Sequence, residues 1–197
     1  MTTRRPYHHG DLRAALLARA ERTLRDKGLA ELSLRGLARD LDVSPGAPSR
    51  HFASKRALLN ALAQEGFHRL GNTLTAAQQQ AGESFADQLT ALTRAYMGFA
   101  ADNAALLDLM YSANYDPAAS PELAATSQRL PALATRLIED GQHRHEVRDG
   151  PADEIVLPVI AAMHGFVALA ISGAIPTDGI EQGLKDTVAF VMRGCAP

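Results

Sequence analysis

Leucine and alanine recur at helical spacing through most of this chain. In residues 10–27, Leu12, Leu16, Leu17, Ala20 and Leu24 share one face of an amphipathic helix that Gly28 stops. Leu34, Leu37, Ala38 and Leu41 repeat the pattern, with Arg35, Arg39 and Asp40 on the opposite face. Asp42 breaks that run and Val43 returns to the core. A third helix starts at Ser54 and extends to about residue 70, where Gly71 and Asn72 weaken it. The polar stretch 78–84 marks a boundary. Beyond it the pattern predicts helices over 85–101 (Leu89, Leu92, Tyr96, Phe99), 104–113, 122–142 with an interruption at Pro131, 153–175, and 178–193. No stretch alternates long enough to read as a strand, so the predicted class is all-α. The expected parts are a flexible basic arm (1–9), a three-helix domain (10–77) and a C-terminal helical bundle (84–197).

Residues 32–59 carry the most specific local signal. Ser33 stands where an N-cap should, and Ser44-Pro45 offers a second helix start, a capping hydroxyl followed by proline in the first turn. That short helix ends near His51-Phe52, and Ser54 caps the next. Two short helices across a tight turn form a helix-turn-helix, whose second helix enters the major groove of duplex DNA. Lys55 and Arg56 lie in the first turn of the following helix, where they oppose the helix dipole. A nearby phosphate offsets that cost.

The run Ser33-Leu34-Arg35-Gly36-Leu37-Ala38, then Val43-Ser44, then His51-Phe52, Ser54-Lys55 and Leu58-Leu59 resembles the TetR family of bacterial transcription regulators. The resemblance spans roughly residues 10–70. It implies an all-helical homodimer with an N-terminal DNA-binding domain and a C-terminal domain for ligand binding and dimerisation. It also places Ser33, His51 and Lys55 at phosphate-contacting positions. Arg35 joins them here by its charge and exposure. Family members usually carry tyrosine two residues before the histidine, where this chain has Ser49, which reaches less far and stacks on nothing. Met163-His164-Gly165 is similar to the Trp-His-Gly signature of one C-terminal subclass, with Met in place of Trp.

Charge sharpens the picture. The 197 residues carry a formal charge of −2, but residues 1–70 hold 13 Lys/Arg against 7 Asp/Glu, leaving the remainder at −8. A basic head on an acidic body suits a module with one face toward DNA. The base-reading positions are Ser44, Pro45, Gly46, Ala47, Pro48, Ser49 and Arg50. Ala47 and Pro48 can meet a thymine methyl, and Arg50 can bond guanine or touch phosphate. His51 can equally cap its short helix. In the arm, Arg4, Arg5 and Tyr7 either enter the minor groove or form a solvated tail.

In the C-terminal part, Ile155, Val159, Met163 and Phe166 form one stripe, and Val156, Ile160, Val167 and Ile171 another. This predicts a helix buried on two faces, by a ligand cavity and by a partner subunit. Candidate ligand-binding residues are Met97, Met110, Tyr111, Tyr115, Met163, His164 and Phe166, suited to a small hydrophobic or aromatic effector. The same residues at the same spacing also make ordinary core, and His164 reads as a ligand contact or as a core histidine. Residues 155–175 hold no Asp, Glu, Lys or Arg, a length that can span a bilayer, yet acidic flanks and Pro158 favour a buried bundle helix. Cys195 is the single cysteine, so no intramolecular disulfide forms, which fits a cytoplasmic protein.

No CxxC, HExxH, GxSxG, P-loop or dinucleotide fingerprint occurs; His8-His9 and His143/His145 lack further ligands at useful spacing. An enzyme using His164 requires a carboxylate beside that imidazole. The sequence therefore predicts a non-enzymatic repressor without cofactor, dimeric on a palindromic operator of double-stranded DNA, released by a small-molecule effector and outside the membrane. The alternative is a DNA-binding regulator whose C-terminal domain only dimerises.

Overall fold

The computed structural model describes residues 9–197. Arg4, Arg5 and Tyr7 lie outside them. The described residues form α-helices and short 3-10 turns and contain no strand. In chain order the helices are α1 (His9–Lys27), α2 (Leu34–Asp40), α3 (Lys55–Gln80), α4 (Phe85–Asp102), α5 (Ala104–Asn114), α6 (Pro121–Ser127), α7 (Arg129–His143), α8 (Ala152–Ile171) and α9 (Ile180–Cys195).

Two compact units result. The first holds the chain up to Phe67 together with Asn103–Ala124, and the second holds His68–Asp102 and Ala125–Pro197. In the first, Leu12, Leu16, Ala20 and Leu24 of α1 are buried at successive turns, against a core that includes Leu37, Phe52, Leu58 and Leu62. Met110 of α5 is fully buried there, and a Cβ added at Gly66 of α3 meets its sulfur at 2.6 Å. Glycine is what lets α5 approach α3 this closely.

In the second unit, α8 packs against α4, α7 and α9. Helix α4 packs on α7, α8 and α9. Its Phe85, Leu89, Tyr96 and Phe99 are buried, as are Ile155, Val159, Met163 and Phe166 of α8 and Leu184, Val188 and Val191 of α9, and Phe85 lies beside Gly141 of α7. Thr93, also buried, donates to the Leu89 carbonyl at 2.8 Å and lies 3.0 Å from the Met163 sulfur. Helix α8 has a mean hydropathy of 2.0 and the length to cross a bilayer. It packs against three neighbours, which bury 39% of that apolar stretch.

Several elements depart from the expected bounds. Gly71 and Asn72 do not end α3, which continues to Gln80. The break expected at Pro131 falls at Gln128. Pro131 is the third residue of α7, where an N–H has no intrahelical partner to lose. Helix α8 stops at Ile171 because Gly173 turns left-handed (φ 76°) and the Ala174 N–H reaches back to the Leu169 carbonyl. The second α8 stripe is only partly covered. Val156 and Val167 are buried, Ile160 is half-buried, and Ile171 is exposed. Within one chain the helix is buried on one broad face, with Leu157, Ala161, His164 and Leu169 facing outward.

Candidate nucleic-acid interface

The helix-turn-helix is built by local hydrogen bonds. Ser33 is extended, and its Oγ accepts from the Gly36 N–H at 3.1 Å, capping α2. A Cβ at Gly36 stands 2.9 Å from that oxygen, so the close cap favours glycine. The turn passes through Asp42, a left-handed residue at φ 52°. Such a turn suits a short polar side chain.

The recognition segment is tighter than an α-helix. The Ala47 N–H bonds the Ser44 carbonyl, the Arg50 N–H the Ala47 carbonyl, and the His51 N–H the Pro48 carbonyl, all i to i−3. Pro48 has no N–H to bond Ser44, so Pro48–Arg50 close as a 3-10 turn. Ser44 contributes its carbonyl, and no side-chain oxygen caps this turn, contrary to the expected hydroxyl cap. Ser44, Pro45, Gly46, Ser49 and Arg50 are exposed, while Ala47 and His51 are half-buried. Pro48 is buried, which corrects the expectation that it meets a base; its ring belongs to the core.

Around this turn the cations divide. Arg35 and Arg50 are exposed and make no ion pair among the described residues. On the α1–α2 side, Arg19 holds Asp40 through Nε at 2.9 Å and Nη2 at 2.6 Å. That hydrogen bond, then the charges of Arg19, Arg39 and Lys27, keeps the Asp40 carboxyl below its ordinary range. Lys55 is half-buried, and its Nζ donates to the Leu29 carbonyl at 2.9 Å, so part of its capacity serves the fold. Ser54 caps α3 as expected, its Oγ accepting from the Ala57 N–H at 3.1 Å.

The expected ligand residues are divided between the units. Met110, Tyr111 and Tyr115 belong to the first. There Tyr111 meets the Phe67 ring edge-on at 6.3 Å, and Tyr115 is 77% exposed. Met97, Met163, His164 and Phe166 belong to the second unit. Phe166 packs over Gly183, where a Cβ meets its ring at 3.1 Å. His164 is exposed, neither core nor enclosed. Its Nδ1 lies 2.7 Å from the Tyr96 hydroxyl, and the two rings stack with centroids 5.7 Å apart. Tyr96 and Thr93 meet these candidates, yet helical periodicity marks Tyr96 only as core and does not mark Thr93. The signal that finds them is the partner each meets on α8.

With this geometry described, comparison with known proteins settles the family. The family described as "Bacterial regulatory proteins, tetR family" matches residues 16–62, and the one described as "Tetracyclin repressor-like, C-terminal domain" matches residues 89–192. The chain belongs to the TetR family of bacterial transcription regulators. Curated relatives include HTH-type transcriptional regulators of Mycobacterium bovis and Mycobacterium tuberculosis. Both are 30% identical over 128 residues, which is 64% of this chain and 53% of theirs. The match thus spans about half the length of those relatives. A solved structure of unknown function from Rhodococcus sp. RHA1 is 37% identical, with a TM-score of 0.91 over 98% of this chain and 100% of that one. A tetR-family regulatory protein from Rhodococcus RHA1 is 26% identical, with a TM-score of 0.67 over 94% and 98%.

Proposed function

We propose that the protein is a cytoplasmic homodimeric repressor that holds a near-palindromic operator and leaves it when a small effector binds. The observation that carries this reading is the exposed recognition turn. Ser49 and Arg50 project from it, and the exposed cation Arg35 stands on α2 of the same motif. Arg50 is the group suited to bidentate readout of guanine, with Ala47 beside it for a thymine methyl. Ser33, Arg35, His51 and the remaining Lys55 donors position the phosphates, and Ser44, Gly46 and Ser49 let the backbone approach closely.

The second copy fits the outer face of α8 and α9. Leu157, Leu169, Ile171 and Phe190 are exposed there, 70%, 52%, 41% and 66% respectively, an apolar surface that water covers poorly in a lone chain. The effector reading centres on the second unit, where the Tyr96–His164 hydrogen bond offers one polar handle beside the apolar Met97, Met163 and Phe166. A mainly apolar or aromatic molecule with one hydrogen-bonding group matches that chemistry. It displaces the operator only by binding the released form more tightly. The packing of Met163 on Thr93 and of Phe166 on Gly183 favours the second reading, in which this domain only dimerises.

Nuclease footprinting of the DNA upstream of the protein's own gene tests the repressor reading. Two protected half-sites about one helical turn apart are expected. Uniform cleavage at saturating protein contradicts it. Screening apolar and aromatic compounds for loss of the footprint then separates the effector reading from the dimer-only one.

A further inference from the structure

We propose that Arg13, on α1 and outside the helix-turn-helix motif, is a DNA-backbone contact that flanks the recognition turn. The proposal rests on the DNA-binding reading above and extends its footprint to a second element. The guanidinium carbon of Arg13 stands 5.6 Å from the centroid of the Phe52 ring. Phe52 is 2% exposed and directly follows the recognition turn, its N–H bonded to the Pro48 carbonyl at 2.9 Å. Phe52 thus joins the end of the turn through its backbone and meets the guanidinium through its ring.

Arg19 of α1 is tied to Asp40 and Arg25 to Asp26. Arg13 and Arg22 are both exposed and make no ion pair among the described residues, and of these two Arg13 is the one that rests on a ring. Contact with a ring face steadies a guanidinium without engaging a carboxylate. The planar fork of donors stays available for phosphate oxygens, which it suits in bidentate geometry. Need points the same way. The recognition turn carries one cation, Arg50, it has Ser49 where the family usually has tyrosine, and Lys55 already serves the Leu29 carbonyl. Arg13 supplies a steadied positive charge beside the turn where those contacts are thin.

The test is fluorescence anisotropy with the full chain on two duplexes, the region upstream of its own gene and a random sequence. The salt range is about 50 to 200 mM. Arg13→Gln is expected to weaken both complexes by the same factor, roughly eightfold at about 0.1 M salt, and to flatten the log–log salt slope by about 0.9. Arg13→Lys is expected to keep the slope. Should Arg13→Gln fail to fold, Arg13→Leu covers Phe52 without the charge and carries the same expectation. An unchanged slope in the neutral variants overturns the proposal, because a purely structural residue leaves counterion release alone. Loss confined to the upstream duplex overturns it too, by making Arg13 a base reader. If the wild-type chain shows no salt-dependent binding to either duplex, the DNA reading itself fails, an outcome distinct from both.

Discussion

At the residue scale, one backbone position and one ion pair make measurable claims. His145 closes α7 at φ 58°, with the Glu146 N–H returning to the Gly141 carbonyl at 2.9 Å. That left-handed closing position is one glycine usually fills. His145→Gly is expected to stabilise the protein by about 0.5 to 1 kcal/mol in urea unfolding; a loss of stability contradicts the strain. Asp40 gives a pH dependence. Its carboxyl is held below the ordinary value by Arg19, so its contribution is fully present above the unfolded pKa, about 3.9, and is lost as pH falls through the lower folded value. Melting temperatures of wild type and Asp40→Asn should differ at pH 6–8 and converge only as the pH falls well below the ordinary carboxylate value. A gap that persists at low pH means that Arg19 does not stabilise through charge. Cys195 is a further residue-scale point. It is 4% exposed, and burial pushes its thiol up, which argues for packing rather than redox chemistry.

At the element scale, serine hydroxyls start four helices: Ser33 at α2, Ser54 at α3, Ser84 at α4 and Ser120 at α6. Ser54→Ala should cost about 1 kcal/mol by thermal unfolding. The contact of Gly66 with Met110 gives a sharper test. Gly66→Ala should destabilise by about 1–3 kcal/mol through overpacking. Met110→Ala in the same chain should recover part of that loss, a coupling that a double-mutant cycle reads directly. The caps at Ser33 and Ser54 were legible in the sequence because a cap is local chemistry, fixed within three residues. Helix identity was legible for the same reason, through leucine spacing. The burial of Pro48 is not legible in the sequence, since it depends on what packs around the turn. His164 lies on an apolar helix, and only its neighbour Tyr96 and the reach of α4 and α9 decide which way it faces. The end of α8 at Ile171 required knowing that Gly173 turns left-handed.

At the scale of the whole molecule, the proposed function gives the basic N-terminal part to duplex DNA and the apolar outer face of α8 and α9 to a second copy. Phe190→Glu puts a charge on that face and should convert the dimer to a monomer in sedimentation, with the far-ultraviolet spectrum unchanged. An unaltered dimer means that the copies meet elsewhere. A monomer that cannot span both half-sites should also lose the operator at concentrations where the dimer holds it. The central claim is that the exposed turn ending at Arg50 reads DNA sequence. Its most direct test is a competition titration at one stated salt, with wild type and Arg50→Ala on the upstream duplex and on random duplex. Wild type should prefer the upstream duplex by about a thousandfold or more, and Arg50→Ala should give up about 1–3 kcal/mol of that preference while binding random duplex nearly as before. Equal affinity of the wild-type protein for the two duplexes contradicts the account.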